Sequence, residues 1–318
     1  MKINRVCLVG GSGFVGRHLV ARLAARGIRC RVLSRHPQRH AGLRTAIGSE
    51  LRAVDVFDKA SLQGAITGCQ AVVNLVGILN ERRPHDFRRL HVELVDNLVE
   101  ATRAAGARRL LHMSALNADE AAGASLYLRT KGAGENRAHT LGQPDIAVTS
   151  FRPSVIFGPD DSFINRFATL LRLPGPLPLA CPGARLAPVY VEDVAEAFCR
   201  ALEDPAAFGR HYELCGPREY SLREIVEYLA GILGLHKEVI PLPDWAARLQ
   251  ARILGQLPGR PFTMDNYLSL QVPSVCREAG LAALGITPTH LEAVVPAMLA
   301  AETPRGRLDR LRRQVQSP

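Results

Sequence analysis

Apolar positions along the chain fall into two alternating rhythms. Short, nearly unbroken apolar runs recur at Val6–Val9, Cys30–Leu33, Ala71–Val76, 109–113 and 146–151. Runs of this length, bounded by turn-forming residues, are the mark of buried strands. Between them lie segments whose apolar residues return every three or four positions: Val15, Leu19, Val20 and Leu23 within about 14–26, and Leu90, Leu94, Leu98 and Ala101 within roughly 85–105. Two further helices are expected at 59–66 and 125–140, and one more short strand at 51–55. Strands alternating with helices at this spacing predict a parallel sheet covered on both faces. The right-handed crossover rule makes that sheet doubly wound.

Past Pro153 the rhythm breaks. Residues 154–187 are rich in proline and glycine, as in Gly158-Pro159 and Pro174-Gly-Pro-Leu-Pro178. Pro188-Val-Tyr-Val-Glu-Asp-Val194 reads as a return to the sheet, followed by a helix to about 203, and 208–304 alternates short strands and helices. The expected organisation is therefore a dinucleotide-binding sheet domain of residues 1–153 and 188–213. A smaller C-terminal, substrate-side lobe takes 154–187 and 214–304, and a basic tail takes 305–318. No internal repeat or low-complexity tract interrupts this plan.

The junction of the first strand and first helix carries the clearest chemistry. Gly10, Gly13 and Gly16 stand three apart in Val9-Gly-Gly-Ser-Gly-Phe-Val-Gly16. Gly10 lets the chain turn sharply off the strand, Gly13 lets backbone N–H groups approach a pyrophosphate, and Gly16 allows the helix to pack closely. Ser12, Phe14 and Val15 complete the turn, and the helix N-terminus offers unpaired donors and a positive dipole end. A strand before the glycines and a helix after them is the context a dinucleotide fingerprint requires. The fold class is thus α/β, a Rossmann sheet with a smaller lobe.

Which dinucleotide is bound depends on the end of the second strand, about twenty positions on, where an acid would hold the ribose 2′-OH of NAD. Here the residues are Leu33-Ser34-Arg35-His36, with no acid. Arg35 and Ser34 suit a 2′-phosphate, and a charge-assisted hydrogen bond of about 1.5–3 kcal/mol favours NADP(H) over NAD(H). Asp55 is placed to meet the adenine amino group, and Val76 and Gly77 line the cofactor cleft where the fourth strand ends.

Tyr127-Leu-Arg-Thr-Lys131 supplies a second constellation. Positions i and i+4 share a helix face, and an ammonium beside a phenol stabilises tyrosinate, making it a usable acid/base near neutral pH. Lys131 also offers donors to the nicotinamide ribose. Ser114, at the end of a strand, is placed to polarise a substrate carbonyl; its alternative role is capping backbone. Together these residues describe hydride transfer at a carbonyl or carbinol carbon.

Composition narrows the partners. The net charge of +10 comes from arginine, since only four lysines occur. The arginines are dispersed among acids rather than clustered with aromatics, which argues against nucleic acid. The tail Arg305-Gly-Arg-Leu-Asp-Arg-Leu-Arg-Arg313 is the exception and suits anionic lipid or an acidic partner, or simply disorder. A strand starting at residue 3 leaves no expected signal or transit peptide, and no run approaches the roughly 18 apolar residues of a membrane span. Seven scattered cysteines without a Cys-x-x-Cys pair read as reduced core thiols of a cytoplasmic protein. Among ten histidines no His-x-x-x-His pair suggests a metal site, Ser12 is not in a nucleophile elbow, and Asp160-Asp161 reads as a turn.

The glycine triplet with Tyr127-x-x-x-Lys131 resembles the short-chain dehydrogenase/reductase superfamily in its extended, epimerase-like form. Arg152-Pro-Ser-Val-Ile-Phe-Gly-Pro159 and Pro188–Val194 resemble that family's later signatures, so the likeness spans roughly residues 3–215. His112-Met-Ser-Ala-Leu-Asn117, Tyr127–Glu135, Phe157-Gly-Pro-Asp-Asp161, Phe163-Ile-Asn165, Thr263-Met-Asp-Asn-Tyr267 and Leu284-Gly-Ile-Thr-Pro288 are similar to an atypical branch. That branch holds the nucleotide-binding accessory subunit of respiratory complex I and its bacterial relatives. The resemblance implies an NADPH held as a structural or sensing ligand, with Tyr127 and Lys131 gripping the nicotinamide ribose. It also implies attachment to a membrane-associated complex at the inner membrane. Complete members add an asparagine from the long helix; the comparable residue here is His91, a candidate proton shuttle because its charge ordinarily changes near neutral pH. Two functions therefore stand side by side. One is an NADP-dependent oxidoreductase on a carbonyl, carbinol or quinone-type apolar substrate. The other is a non-catalytic accessory or assembly module of a respiratory complex I or quinone-synthesis assembly.

Overall fold

The computed structural model describes residues 2–45 and 48–300. The chain opens with β1 (Arg5–Val9), α1 (Phe14–Ala25), β2 (Arg29–Ser34), β3 (Ser49–Ala53), α2 (Lys59–Ile66) and β4 (Ala71–Asn74). A long helical run follows in three pieces: α3 (Asp86–Arg88), a π turn at Arg89–Glu93, and α4 (Leu94–Ala104). Next come β5 (Arg109–Met113), α5 (Leu126–Gly142) and β6 (Ala147–Pro153). The chain then makes β7 (Ile156–Phe157), α6 (Ile164–Leu171), β8 (Leu177–Leu179), β9 (Arg185–Leu186) and β10 (Val189–Tyr190). It continues through α7 (Val191–Glu203), β11 (His211–Leu214), β12 (Tyr220–Ser221), α8 (Leu222–Ile232), β13 (Val239–Pro241) and α9 (Asp244–Leu254). The last elements are α10 (Met264–Ser269), α11 (Gly280–Ala283) and α12 (Leu291–Leu299).

Seven strands form the main sheet in the order β11-β6-β5-β4-β1-β2-β3, every neighbouring pair parallel. The order reverses at β1, whose two neighbours are β2 and β4, and such a switch point is where an open α/β sheet binds ligands at its carboxyl edge. β1, β4 and β5 are buried throughout or nearly so, as expected for strands covered on both faces. One core cluster joins Cys7, Val9, Val72 and Leu110 of the strands to Leu62 and Ile66 of α2 and Val95, Leu98 and Val99 of α4. The long helical stripe expected from 85–105 is present, but its first half contains the π turn that the periodicity did not signal.

The chain divides into two compact units. The first contains 1–153, 191–214 and 276–287, and it holds the whole seven-stranded sheet. Residues 276–287 belong to it, where the sequence reading ran the smaller lobe through them. Residues 188–194 do not rejoin the large sheet: β10 pairs with β7 in a two-stranded sheet, and the helix α7 starts at once at Val191. The seventh strand is β11 instead, too short and polar (His-Tyr-Glu-Leu) to stand out by its apolar pattern.

The second unit is built around α6, α8 and α12, with Phe157, Leu186, Ile225, Leu229, Val295 and others in one cluster. The start of α8 is fixed by a capping box, Ser221 and Glu224 exchanging side-chain and backbone bonds. Cys215 and Cys276 are disulfide-bonded, against the expectation of seven free thiols; Cys7, Cys30, Cys69, Cys181 and Cys199 are free. Their distant sequence positions gave no hint of the pairing. No helix among the described residues is long and apolar enough to cross a membrane. The basic tail 305–318 lies outside the described residues.

Candidate functional site

The glycine turn is built by close packing. Gly10 has φ +82, and a Cβ there would meet Leu75 C and Val76 N at 3.0 Å, so the turn abuts the chain leaving β4. A Cβ at Gly16 would overlap the Gly11 backbone; the glycine permits α1 to close on the turn itself rather than on the sheet. Gly13 is the N-cap of α1 and donates its N–H to Gly10 O at 3.0 Å. Among the described residues no side chain caps this helix, and its first turn holds no acid. Its free N–H groups and dipole are therefore available to an anion. Ser12, Phe14 and Val15 are half-buried around it.

The residues expected at the adenosine end are less enclosed. Ser34 ends β2, and its Oγ accepts from His36 N at 3.2 Å, while Arg35 is exposed. Asp55 is exposed too and accepts from Phe57 N at 3.0 Å, forming a local turn. Asp161 accepts from Gly158 N, Phe163 N and Asn165 N and is a buried turn-former, as its setting after Gly158-Pro159 suggested.

Lys131 of α5 comes beside the segment that follows β4, one turn along the same helix from Tyr127. Lys131 is buried, and its Nζ donates to Met113 O at 2.5 Å. Burial pushes its pKa down to about 8, the Glu135 charge opposing. A Cβ at Gly77 would lie 3.7 Å from Lys131 Nζ and 3.9 Å from His91 Nε2, so Gly77, His91 and Lys131 converge. Tyr127 is half-buried, edge-on to Phe87 at 6.0 Å and to His91 at 5.6 Å.

His91 sits at the centre of the π turn and is fully wired. Ile78 N donates to its Nε2 at 3.3 Å, which leaves the proton on Nδ1, facing Thr130 Oγ1 at 3.0 Å. Thr130 in turn donates to the Leu126 carbonyl at 2.9 Å. Burial, then Lys131 and His112, carry the His91 pKa down to about 2. The ring is neutral at physiological pH, so the expectation that its charge switches near neutrality fails. It positions Tyr127 by ring contact and helix α5 through Thr130. Gly134 of α5 lets the two helices touch, since a Cβ there would overlap the His91 carbonyl oxygen.

Ser114 is brought to a carboxylate. Its Oγ donates to Glu135 Oε2 at 2.5 Å, and both residues are buried. Glu135 also accepts from Arg152 Nε at 2.9 and 3.0 Å and from His211 Nδ1. Burial alone would raise its pKa; the bonds from His211 and Ser114 and the Arg152 charge outweigh it and carry it down to about 2. An ionised carboxylate only accepts, so the Ser114 proton is committed to it. Glu135 was not singled out from sequence. Lys131, Glu135 and His139 stand four apart on α5, and that spacing was the available signal of one inward-facing polar stripe.

The stripe faces a polar row across the sheet. Asn74, His112, Ser150 and His211 are register partners on β4, β5, β6 and β11. Asn74 Nδ2 donates to His112 Nδ1 at 3.2 Å, and His139 Nε2 bonds Ser150 Oγ at 2.9 Å. Burial and Lys131 lower His112 to about 3, and its Nε2 is buried without a partner among the described residues. Histidine spacing gave no hint that Glu135, His139 and His211 would meet, yet their ligand atoms lie within 4.8 Å of one another. Those atoms are already engaged, and the Arg152 guanidinium on the carboxylate opposes an added cation.

The model of the NAD dependent epimerase/dehydratase family matches residues 6–215. The chain is 32% identical over 297 residues to NADH dehydrogenase (ubiquinone) 1 alpha subcomplex subunit 9, mitochondrial, of Rattus norvegicus, covering 89% of this chain and 76% of that protein. It is 33% identical over 245 residues to the ceramide reductase of Caulobacter vibrioides, covering 75% and 74%. The NADPH-dependent quinone oxidoreductase of Escherichia coli, solved with NADPH, shares the fold with a TM-score of 0.74 at 18% identity, over 92% of this chain and 99% of that one. The chain belongs to the NAD dependent epimerase/dehydratase family, whose members bind nicotinamide dinucleotides.

Proposed function

We propose that this member of the epimerase/dehydratase family binds NADP(H) and acts as an oxidoreductase on a carbonyl or carbinol carbon of an apolar, quinone-type or lipid-like substrate. One observation carries the reading: Lys131 and His91 converge with Gly77 just past β4, with Tyr127 edge-on to the His91 ring, in the unit that also holds the uncapped start of α1. The residues fit a dinucleotide. Gly10, Ser12, Gly13, Phe14, Val15 and Gly16 would hold its pyrophosphate, Ser34 and Arg35 its 2′-phosphate, and Asp55 its adenine. Val76, Gly77 and Lys131 would hold the nicotinamide half. A bound nicotinamide would supply hydride chemistry; the chain's own residues would handle the proton.

Tyr127 is the acid/base at the substrate oxygen, and the Lys131 ammonium favours its phenolate form. Ser114, with its proton held by Glu135, offers lone pairs and would orient a carbinol hydroxyl rather than polarise a carbonyl. The names of two similar proteins, a ceramide reductase and a quinone oxidoreductase, support the apolar substrate. Denaturing the purified protein and identifying the released nucleotide tests the cofactor; adding quinone or long-chain ketone substrates and following nucleotide oxidation tests the activity. Tyr127→Phe should retain the nucleotide and lose about 10²–10⁴ in rate. Undiminished turnover overturns the mechanism. Arg35→Asp should lower the preference for NADPH over NADH by about tenfold, as lost charge-assisted bonding implies; unchanged relative affinities overturn the cofactor assignment.

A second reading is favoured by the wiring of His91 and Ser114, neither of which has a free proton to relay. In it the chain is a non-catalytic NADPH holder of a respiratory or quinone-synthesis assembly at the membrane, in keeping with the similarity to the complex I subunit. Retained nucleotide with no turnover on any carbonyl substrate would decide for it.

A further inference from the structure

The helix α9 is inside out. A helix on a folded protein ordinarily buries its large apolar stripe and exposes its polar face. α9 buries Ala247 and Ala251, which pack with Ala180 and Tyr267, and turns its large apolar residues outward. Trp245 is 70% exposed and Ile253 55%, with Leu249 between them and Leu257 just beyond the helix. Trp245, Leu249 and Ile253 step by four residues and so form one continuous outward row. Ile240 and Leu268, close by in sequence, are also large apolar side chains left exposed.

Charge borders the row on one side. Arg248 and Arg252 each stand one position before a member of it and are exposed. Beside them is a hollow of about 370 Å³, lined by Arg248, Arg252, Met264, Tyr267 and Leu268, with two guanidiniums over an otherwise largely apolar wall. Arg248 pairs with Asp244 at 2.8 Å, and Asp244 is the helix's one acid, set at its first residue and off the middle of the row. An aromatic at one end, aliphatics along the middle and arginines along the border form the pattern of a helix lying in the plane of a lipid–water interface.

We propose that α9 docks this protein on an anionic phospholipid surface, Trp245, Leu249 and Ile253 entering the acyl boundary while Arg248 and Arg252 hold phosphate headgroups. The proposal stands under either reading of the nucleotide site, because it uses residues of the second unit alone. It also gives an apolar substrate a surface from which to be drawn.

Trp245 is the only tryptophan in the chain, so its emission reports α9 and nothing else. The full chain, titrated with vesicles of phosphatidylcholine mixed with phosphatidylglycerol, should show a blue shift that salt weakens. Arg248→Gln with Arg252→Gln should lower vesicle affinity on the order of tenfold. Leu249→Glu with Ile253→Glu should abolish the shift while nucleotide binding and the melting curve stay as in the parent. If that variant does not fold, the arginine pair and the salt series still decide the matter. Unchanged emission on vesicles that nonetheless bind the protein would assign binding to another segment and overturn the proposal. An equal response to pure phosphatidylcholine would remove the anionic assignment. A shift that follows protein concentration without vesicles would make a second copy of the chain the occupant, and would equally overturn it.

Discussion

Helices α5 and α9 break the same rule in opposite directions. On α5, Lys131, Glu135 and His139 step by four residues and turn inward. On α9, Trp245, Leu249 and Ile253 step by four residues and turn outward. Burying an ion costs several kcal/mol unless partners replace its water. The fold meets that cost on α5 within one unit: Glu135 has Ser114, Arg152 and His211, and Lys131 has the Met113 carbonyl. Nothing within the described residues covers the row on α9. The inward stripe is therefore complete as it stands, whereas the outward row has no cover among the described residues. Periodicity locates a stripe on a helix, and only what lies opposite decides which way it faces.

That contrast is open to attack at both ends. The largest effect should come from Glu135→Ala, which leaves Arg152 beside a cavity and frees the Ser114 hydroxyl. Breaking a buried pair in this way costs about 3–5 kcal/mol, read as a lower midpoint in urea. A loss below 1 kcal/mol would mean the seam is not what holds α5 on the sheet. Acid should attack the same helix next. His91 and His112 are held down to about 2 and 3 in the fold, mainly by burial, while in the unfolded chain they take up protons near 6.5. Between those values the unfolded state binds more protons, so stability is full above about pH 6.5 and falls as pH drops below it. Glu135 adds to the loss below about 4.5, because its folded pKa is about 2. Urea midpoints should hold from pH 7.5 to about 6.5 and decline steadily from there to pH 5, and a profile flat to pH 5 would contradict the buried neutral rings. Least affected should be the α9 variant Leu249→Glu with Ile253→Glu, whose stability should stay within about 0.5 kcal/mol per site of the parent, since neither side chain is buried.

The fold was legible wherever local pattern and packing agreed. Helix 59–66 falls on α2 residue for residue, and Gly10, Gly13 and Gly16 mark the strand-to-helix turn because only glycine fits a positive φ and two near-touching backbones. The family was legible through the same glycines and the Tyr127/Lys131 pair. What stayed hidden depends on residues far apart in sequence. Glu135 and His211 are 76 positions apart and become one cluster only when β11 pairs with β6. His91 looks like an ordinary titrating histidine until burial beside Lys131 fixes it as neutral. The strand β11 was missed because half-polar sequence at a sheet edge carries little period-two signal, while Pro188–Val194 drew attention by being apolar.

The polar row through Asn74, His112, Ser150 and His211 bears on how the molecule can be taken apart. Its last member arrives after more than fifty intervening residues, yet it completes the partners of Glu135. Residues 1–153 carry every glycine of the phosphate turn and both members of the Tyr–Lys pair, and they look like a portable module. They are not one. Cut there, the piece would keep its buried carboxylate and lose the edge strand that helps to satisfy it. For domain grafting, or for descent by insertion, the nucleotide-binding unit is divisible in the chain but indivisible in space.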